Sequence, residues 1–267
     1  MSGDATERAQ RLARERFAPA AGDYVVSASH AQGEELSRLP QLARSRLGEL
    51  AGKRALDVAT GGGHTARVFA QAGMAVTASD LTPEMLAAAE AHLRETVPGA
   101  TLAFVQTAAE SLPFEDGSFD LVTCRIAAHH FGDPRAFVAS ARRVLRPGGV
   151  LILVDNIAPE DERLADAMNT VERLRDPSHV RAYQVSEWVA WLAEAGLETF
   201  HLERLWRVKA LAQWLERART TEDHRRAIDT LLARVEPEVR TYLTVPGAPR
   251  PALRHEVMVL AATAGAG

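Results

Sequence analysis

A short apolar strand that runs directly into three glycines narrows the fold of this chain more than any other feature. Residues 54–63 read Arg54-Ala55-Leu56-Asp57-Val58-Ala59-Thr60-Gly61-Gly62-Gly63, and Gly61-Gly62-Gly63-His64-Thr65-Ala66 fits the pattern G-x-G-x-x-A. The first glycine permits a tight turn. The second permits close approach of a ligand to the backbone, and the small Ala66 permits close helix–strand contact. Asp80 lies 19 residues after Gly61, at the end of the next strand-like run, Val76-Thr77-Ala78-Ser79-Asp80. Strand, glycine turn, helix, strand and acid together describe a nucleotide site. Asp80 is placed to accept bonds from both ribose hydroxyls, and a bare carboxylate there disfavours a 2′-phosphate. Leu81 and Met85 are expected to flank an adenine.

The rest of the chain keeps the same rhythm. Strands are expected at 56–59, 75–79, 101–106, 119–123 and 150–154. Helices are expected at 65–73, from Pro83 to about Glu95, and from Asp133-Pro134 to about Leu145, where the acid caps the helix and the proline fills its first turn. Arg146-Pro147-Gly148-Gly149 reads as a turn. Repeated βα units with apolar strands predict a parallel sheet covered by helices. Residues 156–183 are rich in charge and read as a helical insertion without a strand. Ser186 is expected to cap a helix that ends near Gly196. A strand is expected at 197–206, one or two amphipathic helices at 208–234, and a last strand at 256–262. Residues 1–49 read as an N-terminal helical flap and 50–267 as the main domain, with 156–184 as its helical cap insertion.

Composition sets limits on partners. The chain has 267 residues, 46% of them hydrophobic, and a formal charge of -4, which does not suggest a polyanion such as nucleic acid. One cysteine, Cys124, rules out an intrachain disulfide and a multi-cysteine metal cluster. No apolar run has the length of a spanning helix, and the first 20 residues do not read as a signal peptide. A soluble cytoplasmic protein without stable membrane insertion is therefore expected. Homodimer formation is left open.

Asp57 separates two nucleotide chemistries. It lies inside the first strand, four residues before Gly61. A carboxylate there can meet an ammonium, which the sulfonium cofactor S-adenosyl-L-methionine carries. A nicotinamide dinucleotide instead puts phosphates near the turn and gains little from added negative charge. The plainer role for Asp57 is to tie the turn to backbone N–H groups.

Four stretches resemble one family: 56–63, 78–86, Ala109-Glu110-Ser111-Leu112-Pro113-Phe114-Glu115-Asp116-Gly117-Ser118-Phe119-Asp120, and Arg143-Val144-Leu145-Arg146-Pro147-Gly148-Gly149. They are similar to the class I S-adenosylmethionine-dependent methyltransferases, in particular the small-molecule group related to the ubiquinone and menaquinone C-methyltransferases. The resemblance implies an α/β Rossmann-like fold. Its seven-stranded, mostly parallel sheet would have the order 3-2-1-4-5-7-6, with an antiparallel last strand, flanking helices and a helical cap. It implies that Asp57 and Gly61 to Gly63 hold the methionine end of the cofactor and Asp80 the ribose. Relatives often carry aspartate where this chain has Ala108. The adenine contact then falls to backbone groups of Ala108 and Ala109, or to Glu110. Arg125, just past the fourth strand, becomes a cofactor neighbour. Tyr24 resembles an aromatic that closes over the cofactor from the front flap.

The expected reaction is methyl transfer to a small-molecule acceptor by in-line SN2 displacement, in which the enzyme chiefly aligns the reactants. His129 and His130 follow the fourth strand closely, and either imidazole could hold an acceptor's proton near neutral pH. Packing is the alternative role for each, with His129 the preferred base. His30, Asp155, Asn156, His179, Arg181 and Tyr183 are the candidate acceptor contacts, with Met168 as a further pocket wall and His179 and Arg181 suited to an acidic group. No metal site is expected. Three other readings stand beside the leading one. They are a metal-assisted O-methyltransferase built on Asp155-Asn156, an NAD-dependent oxidoreductase, and a noncatalytic nucleotide-binding protein.

Overall fold

Strand β1 (Arg54–Val58) is buried at every position but its first, and the sheet grows outward from it. It pairs in parallel with β2 (Ala75–Asp80) on one side and β4 (Phe119–Arg125) on the other. β3 (Leu102–Gln106) adds in parallel to β2, and β5 (Leu145–Ala158) adds in parallel to β4. The two-residue β6 (Tyr183–Gln184) pairs with the end of β5. β7 (Leu197–Ala210) and β8 (Ala252–Ala264) complete the order β3-β2-β1-β4-β5-β8-β7, with β8 antiparallel to both its neighbours. This is the expected order once β6 is counted. The computed structural model describes residues 3–26, 33, 35–248 and 251–265.

Alternation along the strands sends apolar side chains to two helical layers. On one face Ala55, Val76, Val150, Ile152 and Val154 pack with Leu39 and Ala43 of helix Leu39–Leu47, with Ala66 and Phe69 of helix His64–Gln71, and with Leu93 of helix Pro83–Thr96. On the other, Leu56, Val58, Val122, Leu151 and Leu153 meet Phe137 and Ala141 of helix Pro134–Val144, and Trp188 and Leu192 of helix Val185–Glu194. Cys124 is buried in this second layer. Asp133 accepts from the Ala136 N–H at 3.0 Å, and Pro134 fills the first turn, as the sequence predicts.

A third apolar cluster joins two distant stretches. Ala165, Met168 and Val171 of helix Glu162–Arg175 pack with Trp214, Ile228, Val239 and Leu243. The latter four come from helices Leu211–Arg217, Glu222–Arg234 and Pro237–Leu243. The helical cover is thus larger than the insertion alone.

Several local expectations are corrected. The turn at Arg146–Gly149 is a bulge inside β5, because Phe119 faces Leu145 while Leu121 faces Val150. β5 continues through Asp155 and Asn156 to Ala158, since its later residues pair with β8 as far as Glu256. Gln184, not Ser186, caps the following helix, through a reciprocal pair with Glu187. β7 reaches Ala210 because its whole length pairs with β8, so residues 208–210 are strand rather than helix.

Gly61 and Gly63 have φ of 53° and 79°. A Cβ at Gly63 would lie 3.2 Å from Leu93 Cγ, so the third glycine admits a neighbouring helix rather than a ligand. Gly63→Ala should lower stability by about 1–2 kcal/mol, from left-handed strain and crowding together. Urea unfolding measures this. An unchanged midpoint with unchanged m would contradict it.

Candidate active site

The C-terminal ends of β1, β2 and β4 open into a cavity of about 930 Å³, where open parallel sheets place their ligands. Asp57, Thr60, Gly61, Gly62 and Asp80 line its floor, with Leu81, Met85, Ala108, Ala109 and Glu110 along one side. Gln10, Phe17 and Tyr24 from the N-terminal helices Gly3–Phe17 and Ala21–Val26 line it too, as do Arg125, His129, His130 and Asn156.

Asp57 ties the floor together. One carboxylate oxygen accepts from Thr60 Oγ1 at 2.7 Å and the Ala66 N–H at 3.1 Å, and the other accepts from Thr123 Oγ1 at 2.7 Å. Burial pushes its carboxyl up to about 6, against those hydroxyl bonds and the charge of Arg125. It secures the turn, which is the plainer of its two expected roles, and it also lines the cavity. Asp80 accepts from the N–H groups of Gly61 and Thr82, each at 3.0 Å, and burial raises its carboxyl as well. Gly62 approaches the roof: a Cβ there would lie 2.8 Å from the Tyr24 carbonyl. Gly63 does not line the cavity.

Arg125 donates through Nε to Thr65 Oγ1 at 3.0 Å and through an Nη to Glu35 at 3.2 Å. Glu35 also pairs with Arg207 of β7 at 2.5 Å. Burial pushes the Glu35 carboxyl up, but Arg207, followed by Arg125, brings it below its ordinary value. Glu110 accepts from the Gly132 N–H at 3.1 Å and from Gln10 at 3.2 Å, which joins the N-terminal helix to the loop after β4.

The paired histidines differ sharply. His129 is buried, and its Nδ1 lies 2.6 Å from one oxygen of Asp155, whose other oxygen accepts the His129 backbone N–H at 2.8 Å. Burial alone would depress this imidazole. The charge and hydrogen bond of Asp155 outweigh it, with help from Glu172 and Asp176, and raise it above its ordinary value. His130 sits edge-on to Phe17 and donates from Nδ1 to the Ser178 carbonyl at 2.9 Å. Burial and then the neighbouring His129 pull it down to about 4.

The remaining predicted acceptor contacts scatter. Asn156 lines the cavity, whereas Asp155 lies behind His129. His179 Nε2 is bound to Asn169 Oδ1 at 2.9 Å, because the His129 carbonyl holds the backbone N–H groups of Val180 and Arg181 and turns this segment inward. Arg181 pairs with Glu187 at 2.9 Å. Tyr183 packs edge-on to Trp188 and Trp191, and Met168 lies in the third apolar cluster. None of these four lines the cavity. His30 lies outside the described residues. Among the described residues, no cluster of three or more His, Cys, Asp or Glu is placed to hold a metal ion, and no helix is long and apolar enough to cross a membrane.

Sequence reasoning missed Glu35, Thr60, Thr123 and the whole wall from Leu205 to Arg217. Thr60 carried a usable signal, since it follows Asp57 by three residues at the glycine turn, whereas Thr123 meets Asp57 only through the pairing of β1 with β4. The β7 wall carried none, because it lies more than a hundred residues from the glycine turn.

A methyltransferase-domain family matches residues 56–153. The chain is 39% identical over 211 residues to the uncharacterized methyltransferase YcgJ of Bacillus subtilis, across 79% of this chain and 81% of that one. The crystal structure of the Bacillus subtilis YcgJ protein superposes with a TM-score of 0.80 at 33% identity, covering 88% of this chain and all of that one. A ubiquinone biosynthesis O-methyltransferase of Xanthomonas euvesicatoria is 37% identical over 156 residues, 56% of this chain and 64% of that one. These matches decide for S-adenosylmethionine over a nicotinamide cofactor.

Asp155→Asn should lower the His129 pKa, because it removes the charge that holds the imidazolium. Histidine ring NMR titration reads this directly, and an unshifted His129 would show that Asp155 is not the cause.

Proposed function

We propose, for a chain that belongs to the class I S-adenosylmethionine-dependent methyltransferases, that the methyl group passes to a small molecule held in the outer half of the cavity. One observation carries this reading: a single cavity is lined both by the Asp57–Asp80 floor and by the buried His129, which Asp155 orients. When bound, the cofactor supplies a methyl group on positively charged sulfur, open to in-line attack.

The floor fits that cofactor on its own chemistry. Asp57 offers negative charge at the turn, and its raised carboxyl is of a kind that an arriving ammonium would ionise. Asp80 would hold the ribose hydroxyls. Leu81 and Met85 would flank the adenine, with Ala108, Ala109 and Glu110 at its edge. Gly61 and Gly62 leave room at the methionine end. Arg125 is a cofactor neighbour held in place by Glu35 and Thr65. The N-terminal helices Gly3–Phe17 and Ala21–Val26 act as a flap, with Phe17 and Tyr24 closing the roof and excluding water.

His129 has the makings of the acceptor's base. Its Nδ1 proton is committed to Asp155, so Nε2 is the basic nitrogen of the neutral ring. His130 is held neutral and packed against Phe17, which suits it to shaping the pocket rather than moving a proton. The ubiquinone biosynthesis O-methyltransferase among the relatives makes a phenol-type hydroxyl a natural first acceptor class to test, since such a group needs its proton held as the oxygen attacks.

Incubation with methyl-labelled cofactor and cell extract should yield a labelled small molecule. No labelled product from any extract fraction would sink the proposal. With that acceptor in hand, His129→Ala should cut turnover by about 10²-fold or more while leaving cofactor affinity nearly unchanged. The wild-type rate should rise with pH as the imidazolium loses its proton, with a midpoint above about 6.5, the ordinary histidine value. Equal turnover in the two proteins would remove His129 from the mechanism.

A further inference from the structure

The β7 side of the cavity has a basic wall that the transfer chemistry does not use. Arg175 ends helix Glu162–Arg175, Arg207 and Lys209 lie on β7, and Arg217 ends helix Leu211–Arg217. All four line the cavity. Two have carboxylate partners. Arg207 pairs with Glu35 at 2.5 Å, and Arg175 pairs with Glu172 at 3.2 Å, a carboxylate it shares with His255 at 3.0 Å. Among the described residues, neither Lys209 nor Arg217 has a carboxylate within ion-pair distance. Trp214 completes the wall, with an indole N–H that has no acceptor among the described residues and the Arg175 guanidinium 4.6 Å over its ring.

The electrostatics of the wall are costly as they stand. Burial brings the Lys209 ammonium down to about 8; Glu172 opposes this, while Arg175, Arg217 and Arg207 add to it. Arg217 is lowered by burial and then by Arg175. Like charges gathered beside a cavity among largely buried groups repel one another, and an arriving anion offsets that. The nearby acids are already engaged: Asp176 faces Arg16 at 3.5 Å and Asp23 faces Arg219 at 3.0 Å. The floor, by contrast, carries the acids Asp57 and Asp80. The cavity is therefore polarised, acidic at the glycine turn and basic at β7.

We propose that Lys209 and Arg217 form the seat of an anionic group, a carboxylate or a phosphate, carried by the methyl acceptor. The assignment rests on reading the β7 side of the cavity as the acceptor site. It also moves acid recognition away from His179 and Arg181, whose side chains are committed elsewhere. Positive charge at this wall selects among acceptors of equal size, because a neutral analogue leaves the cations unmatched.

The test uses the full chain loaded with S-adenosylhomocysteine and three probes of similar size: benzoate, phenyl phosphate and neutral benzamide. Calorimetry should show saturable binding of at least one anion and none of benzamide, and the stronger anion identifies the acceptor's group. Lys209→Met should weaken that anion about ten-fold, as expected for loss of one charge-assisted bond, while Lys209→Arg should retain it. S-adenosylhomocysteine affinity should be unchanged in both variants. Because an unmatched cation is removed, the melting temperature of Lys209→Met should not fall. The proposal is overturned if neither anion saturates or if Lys209→Met leaves the anion's affinity intact. A parallel loss of S-adenosylhomocysteine affinity in Lys209→Met would also overturn it, since the wall would then serve the cofactor. Failure of the wild-type protein to bind S-adenosylhomocysteine would sink the methyltransferase reading separately, and the anion titration of the unloaded chain would still judge the wall.

Discussion

Everything at the site depends on one buried carboxylate held from three directions. Asp57 lies in β1, yet it accepts from Thr60 in the glycine turn, from the Ala66 N–H in the first turn of the next helix, and from Thr123 in β4. A buried charge is tolerated only when such partners replace water. A side chain that lines the cavity is therefore also the one that fixes the turn carrying Gly61 and Gly62. The adjacent Asp80 repeats this economy by accepting from the Gly61 N–H. Disturbing either acid disturbs both the charge lining the cavity and the backbone that frames it.

The second organising element is Glu35. It stands between Arg125 at the end of β4 and Arg207 on β7. A residue near the front of the chain thus connects the end of β4 to β7. Positive backbone φ at Ala59 and Ile126, both 53°, marks the two strand ends where the chain leaves the sheet to make that floor. For a β-branched residue such as Ile126 this conformation is strained, and such strain gathers where surrounding structure enforces it for a site.

How far the sequence could be read follows from how local each signal is. The glycine turn, Asp80, and the Asp133-Pro134 helix start are short-range patterns, and the strands near them fall within a residue or two of expectation. The sequence places strands at 197–206 and 256–262 but not their full lengths, because pairing with each other extends β7 and β8 further. His129 stood out by its place after β4. Its partner Asp155 reads from the sequence as an acceptor contact rather than as the carboxylate behind His129, because that contact spans 26 positions. His179 and Arg181 looked like pocket residues because the insertion is charged. Asn169 and Glu187 absorb them instead, and sequence spacing does not reveal which charges pair across a helix and a loop. Lys209 falls where the sequence suggests an amphipathic helix, and its exposure to a cavity exists only because that segment is strand.

The position of β8 has a consequence for how the molecule comes into being. β8 lies between β5 and β7, and among the described residues no other strand lies beside β7. During synthesis β1 to β5 can assemble as they emerge, with the glycine turn and Asp80 already in place. β7 has nothing to pair with until β8 has left the ribosome. The glycine turn and Asp80 can therefore be framed well before the β7 side of the cavity, and the edge of β5 stays open until β8 inserts.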